Sequence, residues 1–219
     1  MLPIVGIIEP NEVQEIRARL VAANYHHGKL DTSWRFVDEK NHHQAREDEA
    51  ILDLQRLVRE ALMANFQFKI YAWPSKWARM GFSRYGPDEH YGRHVDGWTQ
   101  RNADGEMIRR DLSFTIFLSE PESYEGGELV LERLDGPVSI KLPAGSIFIY
   151  STGVIHQVMP VRSGERHVCV GWIESRLRNE EQRNLIYELS LVHANMQKGE
   201  LNLLVDKGIS TLMRMWGDM

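Results

Sequence analysis

Three textures of apolar and polar positions follow one another along the chain. From Asn11 to Asn24, Val13, Ile16 and Leu20 recur at helical spacing and Asn11 with Gln14 forms a capping-box pattern, so a helix is predicted there. A second helix is predicted from Glu47 to Met63, where Ile51, Leu54, Val58 and Ala61 make one stripe while Arg56, Arg59 and Glu60 point elsewhere. From about Trp77 the pattern shortens into apolar runs bounded by Gly, Pro, Asp and Ser, the texture of a sheet protein. The predicted strands are Ala78–Tyr85, Tyr91–Val95, Leu112–Leu118, Glu128–Glu132, Val138–Lys141, Ser146–Tyr150, Ile155–Val158 and His167–Glu174. So many short strands in close succession suggest a double-sheet jelly roll. After Ser175 the helical period returns, with Leu185, Leu189, Val192 and Met196 on one face and a last amphipathic segment around Leu212 and Trp216. The expected fold is therefore mainly β with flanking helices: an N-terminal helical support region over residues 1–76, a jelly-roll (double-stranded β-helix) domain over 77–176 and a C-terminal helical extension over 177–219.

Composition narrows the class. The chain has 219 residues, 42% hydrophobic and 26% charged, enough for one packed core without covalent staples. A formal charge of -5 and a pI near 6.0 argue against a strong electrostatic footprint for nucleic acid or an anionic membrane. Cys169 is the single cysteine, which excludes an internal disulfide and a cysteine-based zinc site and suits a reducing, cytoplasmic location. Its setting, Val168-Cys169-Val170, reads as a small buried hydrophobe. Pro3, Gly6 and Glu9 interrupt the first apolar run, so no signal peptide is expected, and no window approaches membrane-spanning length.

Candidate chemistry lies in the sheet region. In Tyr91-Gly92-Arg93-His94-Val95-Asp96-Gly97, residues two apart on a strand share a face, so His94 and Asp96 offer an imidazole nitrogen and a carboxylate oxygen to one point. His156 interrupts the apolar run Val154-Ile155-His156-Gln157-Val158 on a later strand and can supply a third ligand. Two histidines and a carboxylate leave open positions on a metal, the arrangement of non-haem iron(II) oxygenases. Alternatives stay open at this level, since a His-x-Asp triplet is common by chance and a histidine on an apolar strand is often a satisfied core residue. Arg166, after the turn-like Arg162-Ser163-Gly164, can grip the far carboxylate of a dicarboxylic cosubstrate through two parallel charge-assisted hydrogen bonds, or serve an ordinary salt bridge.

Further motifs follow in order: Asp111-Leu112-Ser113-Phe114-Thr115-Ile116-Phe117-Leu118-Ser119, Tyr124-Glu125-Gly126-Gly127-Glu128-Leu129, Lys141-Leu142-Pro143-Ala144-Gly145 and Trp172-Ile173-Glu174-Ser175. With the His94 and His156 segments, they make residues 77–175 resemble the PKHD-type hydroxylases, within the prolyl-4-hydroxylase-like iron and 2-oxoglutarate dioxygenases. The resemblance implies His94, Asp96 and His156 as ligands of Fe(II), Arg166 as the anchor of the distal carboxylate of 2-oxoglutarate, and Tyr85 as a tyrosine helping to hold that cosubstrate. Tyr91 is expected as packing. The implied activity consumes 2-oxoglutarate and molecular oxygen, releases succinate and carbon dioxide, and hydroxylates a substrate not identified by sequence, with ascorbate as a reductant. Related halogenases lack the carboxylate, so Asp96 favours hydroxylation. Two other readings are a cupin-like metal enzyme that uses no oxo acid and a non-catalytic metal-binding jelly roll.

Other features read as structural. Gly126-Gly127 reads as a tight turn, because no lysine or helix-opening pattern follows. His26-His27 and His42-His43 read as exposed pairs outside any ligand motif, and Tyr71, Trp73 and Trp77 as packing between helices and sheet. Residues Gly97 to Arg110, with Trp98 and Arg101, read as a mobile lip over the site. The segment Leu30 to Gln44 departs from the family pattern. The C-terminal helices offer an apolar face to the core or to a partner subunit, which leaves a homo-oligomer open.

Overall fold

A computed structural model of the chain describes residues 1–31, 39–102 and 105–218. Its strands are β1 (Leu2–Ile4), β2 (Tyr25–His27), β3 (Lys40–Asn41), β4 (His43–Ala45), β5 (Pro74–Trp77), β6 (Gly81–Tyr85), β7 (His90–His94), β8 (Thr99–Arg101) and β9 (Met107–Arg109). They continue with β10 (Leu112–Phe117), β11 (Tyr124–Gly126), β12 (Leu129–Leu131), β13 (Val138–Ile140), β14 (Ile147–Ser151), β15 (His156–Val158), β16 (Val161–Gly164) and β17 (Arg166–Ser175). The helices are α1 (Pro10–Val21), α2 (Glu49–Ala64), α3 (Phe66–Ala72), α4 (Glu180–Asn195) and α5 (Glu200–Trp216).

Two sheets face each other. The larger runs β1-β14-β10-β17-β6-β4-β2, with β5 also on β17, and the smaller runs β13-β12-β15-β7-β3. Pairs β11-β16 and β8-β9 stand apart from them. The strand pairs are antiparallel, and this is the expected jelly roll.

Alternation along the central strands sorts the interior into two compartments. On β10, Leu112, Phe114 and Ile116 pack with Val13, Ile16, Leu54, Val58 and Leu62 of α1 and α2 in one core beneath the larger sheet. The alternate residue Phe117 joins Leu129, Leu131, Val158 and Val168 in a second core between the sheets. Tyr85 and Tyr150 belong to that second core. A strand buried on both faces, as β10 is, has to sit between two packed layers.

Several local expectations change. Helix α1 starts one residue before the predicted Asn11, and the side chain that reaches back is Glu12, whose carboxylate accepts from the Glu9 N–H at 3.0 Å. Proline at the first helical position, where a missing N–H costs nothing, moves the start to Pro10. Helix α3 was not foreseen. It is seven residues long and begins where the Asn65 side chain accepts the Phe68 N–H at 2.9 Å. The region 1–76, expected as helical support, also supplies β1, β2, β3 and β4, which extend both sheets. The predicted strand from Ala78 is confined to Gly81–Tyr85. Trp77 packs at the helix–sheet boundary, 5.9 Å from Phe68 and 6.4 Å from Phe114 between ring centroids. The departing segment Leu30 to Gln44 lies outside the described residues over 32–38. Among the described residues, no helix is long and apolar enough to cross a membrane.

Candidate active site

Pairing of β7 with β15 sets His94 directly opposite His156. The pair lies on the inner face of the smaller sheet, with ring centroids 4.2 Å apart. Each ring donates from Nδ1 to the carbonyl two residues before it, His94 to Gly92 O at 2.8 Å and His156 to Val154 O at 2.9 Å. A carbonyl only accepts, so Nδ1 carries the proton and Nε2 is the nitrogen that keeps a lone pair to offer a metal. Burial is the main reason the His94 imidazolium is disfavoured, with the neighbouring His156 adding to it, and its pKa falls to about 4. A neutral imidazole is the metal-binding form.

Asp96 joins them from just beyond the end of β7. The strand was expected to run through Val95 with Asp96 on the His94 face; instead the chain leaves the sheet after His94. The carboxylate still reaches the cluster: Oδ1 lies 3.8 Å from His94 Nε2 and Oδ2 lies 3.8 Å from His156 Nε2. The three ligand atoms fall within 4.8 Å of one another. Its orientation comes from the larger sheet, where Trp172 Nε1–H donates to Oδ2 at 2.8 Å and Ser113 Oγ–H donates to the same oxygen at 2.9 Å. Ser113 is in turn 3.1 Å from Thr152 Oγ1. A carboxylate tied by two donors across the sandwich is held ready for a cation, as outer partners hold metal ligands. The reading of the sequence missed Trp172 and Ser113 as site residues. Period-two alternation was the available signal, because Arg166 and Trp172 share one face of β17.

That shared face leads to Arg166, 1% exposed. Its guanidinium lies 5.0 Å from the Tyr85 ring and 5.6 Å from the Phe117 ring. Nε and Nη1 are buried and have no hydrogen-bond partner among the described residues. Buried guanidinium N–H groups without an acceptor are costly, so these two nitrogens fit a carboxylate that arrives with the ligand. Gly127 makes room for it: its φ is +65°, and a Cβ there would stand 3.0 Å from Arg166 Cδ and 3.1 Å from Tyr124 Cε2. The double glycine is thus a turn, as expected, and also a packing requirement of Arg166. Opposite Arg166 on β6 is Tyr85, whose hydroxyl pKa is pushed up to about 12 by burial, against the pull of Arg166. Burial also raises that of Tyr150, so both phenols keep their protons near neutral pH and remain donors.

His94, Asp96, His156, Arg166, Tyr85 and Tyr150 line one cavity of about 770 Å³. Tyr91, expected as packing, stacks on His94 at 3.6 Å between centroids. His42 corrects the expectation of an exposed pair: it is 1% exposed and stacks on Tyr85 at 4.6 Å. Burial holds its imidazole neutral, well below the usual pKa. The expected lip is the β8-β9 hairpin, and Trp98, just before it, stands 78% exposed at the cavity mouth. Ala103 and Asp104 of that segment lie outside the described residues.

A family model described as "2OG-Fe(II) oxygenase superfamily" matches residues 80–174. The chain is 36% identical to a PKHD-type hydroxylase of Picosynechococcus sp., covering 97% of each chain. It is 35% identical to a PKHD-type hydroxylase of Xanthomonas campestris over the full length of both. The chain belongs to the PKHD-type hydroxylases of the 2OG-Fe(II) oxygenases. Solved structures agree on the fold: a Pseudomonas putida prolyl-4-hydroxylase superposes with TM-score 0.53 at 21% identity, over 80% of this chain and 92% of that one. A Burkholderia pseudomallei protein of the 2OG-Fe(II) oxygenase family gives 0.57 at 18% identity, over 78% and 81%. This PKHD-type hydroxylase is an oxidoreductase using Fe(II) and 2-oxoglutarate, and a jelly roll that dispenses with the oxo acid is not favoured.

Proposed function

We propose that His94, Asp96 and His156 hold Fe(II), that Arg166 with Tyr85 holds the distal carboxylate of 2-oxoglutarate, and that the enzyme hydroxylates a substrate admitted past Trp98. One observation carries the reading: two histidines whose Nδ1 atoms are tied to backbone carbonyls, a doubly hydrogen-bonded carboxylate and a buried guanidinium whose Nε and Nη1 have no acceptor among the described residues line one cavity. In this reading residues 77–176 hold every proposed ligand, and 1–76 and 177–219 support them.

With oxygen, bound iron and 2-oxoglutarate supply the oxidising power that converts a substrate C–H to C–OH as the oxo acid becomes succinate and carbon dioxide. The chain's own contribution is orientation and exclusion of water. Backbone carbonyls of Gly92 and Val154 fix the imidazole tautomers. Trp172 and Ser113 fix the carboxylate. Arg166 sets the reach of the oxo acid, while Tyr85 and Phe117 shield its guanidinium from water. The buried lone cysteine favours a cytoplasmic setting. Self-association belongs to the same reading through α5, where Leu201, Leu203, Leu204 and Met215 are exposed; light scattering tests it.

Anaerobic addition of Fe(II) and then 2-oxoglutarate should produce a metal-to-ligand absorption band, and oxygen should then yield succinate. Asp96→Ala should abolish the band and Arg166→Ala should weaken its dependence on 2-oxoglutarate. Unchanged bands in both variants would remove these assignments.

A further inference from the structure

The charge lining the cavity contrasts with the acidic chain around it. Among the described lining residues Asp96 is the only acid, whereas Lys40, Arg79, Arg110 and Arg166 are bases. Arg79 has Glu47 beside it at 3.3 Å. Arg110 has no acid within ion-pair distance among the described residues. It is half-buried, its guanidinium lies 4.0 Å over the Trp172 ring, and its hydrogen-bond partner is the neutral Gln100. Nε and Nη2 both donate to Gln100 Oε1, at 3.1 and 2.5 Å. The side edge of the fork is therefore taken, and the end edge, Nη1 with the second proton of Nη2, is left for a ligand. A Cβ on Gly97, next to Asp96, would be 3.7 Å from Nη1, so that end lies beside the proposed metal ligand.

We infer that Arg110 is the specificity residue for the substrate, and that the substrate carries a carboxylate bound end-on by Nη1 and Nη2. This rests on the assignment of iron and 2-oxoglutarate made above. Charge counting supports it: Fe(II), the Asp96 carboxylate, the doubly charged oxo acid and Arg166 cancel, which leaves the Arg110 charge without a counterpart. Trp172 links the two roles, because its N–H orients Asp96 while its ring carries the Arg110 guanidinium. The exposed Trp98 ring at the mouth offers a surface for an apolar body attached to the carboxylate.

The test uses the full chain loaded anaerobically with Fe(II) and saturating 2-oxoglutarate, so that Arg166 is engaged, and titrates it calorimetrically with benzoate and with its neutral isostere benzamide. The wild type should bind benzoate at least about tenfold more tightly than benzamide, the scale of a hydrogen-bonded charge. Arg110→Gln should erase the preference, and Arg110→Glu should reverse it toward benzylamine. Equal binding of benzoate and benzamide by the wild type, or a preference surviving Arg110→Gln, overturns the inference. The absorption band separates the two layers of argument. If it forms in wild type and variants while the probes fail, only the Arg110 assignment falls; if the wild type never forms it, the reading beneath falls as well.

Discussion

Replacing Arg166 by Met should raise the melting temperature of the ligand-free protein and sharply reduce its response to 2-oxoglutarate. The reason is the burial of the guanidinium, with Nε and Nη1 facing no acceptor and two aromatic rings beside it. Breaking a buried ion pair costs about 3–5 kcal/mol, which corresponds to roughly 100- to 4,000-fold in affinity. Binding should persist in weakened form, since the keto acid end still has the metal to chelate. In the ligand-free protein the sign reverses, because a buried charge with two unsatisfied nitrogens among the described residues is replaced by an apolar chain of similar length, a change worth on the order of 1–4 kcal/mol in favour of the variant. For a domain of this size each kcal/mol moves the melting point by about 2–4 °C. Melting curves of the metal-loaded protein under nitrogen should therefore converge: the variant melts higher without 2-oxoglutarate, and at a concentration 100 times the wild-type Kd, where the wild type gains about 2.7 kcal/mol and the variant about 0.4 kcal/mol or less, that lead shrinks by at least about 2 kcal/mol. An anaerobic titration of the absorption band gives the affinity directly. A variant that binds 2-oxoglutarate within fivefold of the wild type would falsify the role given to Arg166.

Three further outcomes are expected. Trp172→Phe removes the N–H held by Asp96 Oδ2 but keeps an aromatic ring under Arg110, so Fe(II) affinity should fall about 10- to 100-fold; a competition titration that finds it unchanged removes Trp172 from the site. Gly127→Ala forces a methyl group against Arg166 and Tyr124 at positive φ. Urea unfolding should show a loss of about 1–3 kcal/mol together with weaker 2-oxoglutarate binding, and a loss of stability alone would separate Gly127 from Arg166. His42 is held neutral chiefly by burial, so its pKa is lower folded than unfolded. Its contribution is complete above the unfolded pKa near 6.5 and is lost as pH falls toward the folded value. His42→Phe keeps the stack on Tyr85 and should flatten the decline in stability below pH 6.5; an unaltered slope would mean that other groups set it.

Legibility of the sequence followed the range of the interactions that fix each element. The strands β10, β14 and β17 were read correctly because their apolar content reflects burial on two faces. The strands β2, β3 and β4 were not, because Tyr25, His26, His27, Lys40, His43 and Gln44 carry no apolar alternation and pair only where neighbouring edges wait for them. Seven residues of α3 are too few for a period to stand out. His42 was mistaken for a surface residue since its burial depends on Tyr85 and Tyr91, forty or more positions away. The site was read from motif order and from the two-residue face rule. That rule placed Asp96 on a strand it does not occupy, yet the carboxylate arrives at the same point because Trp172 and Ser113 hold it from the opposite sheet.

This division explains why the class of chemistry shows in the sequence while the choice of substrate does not. The groups proposed for iron and oxo acid sit on or directly after strands of fixed register, with His94 facing His156 and Tyr85 facing Arg166. Their geometry follows from the sandwich itself. Arg110 instead depends on the β8-β9 hairpin, where Gln100 occupies one edge of its guanidinium and leaves the other open. A change at Gln100 to an acid would neutralise Arg110 without touching any strand of the sandwich. Specificity could therefore shift by substitution in this hairpin while the metal centre stays intact, which is how one fold can serve many substrates.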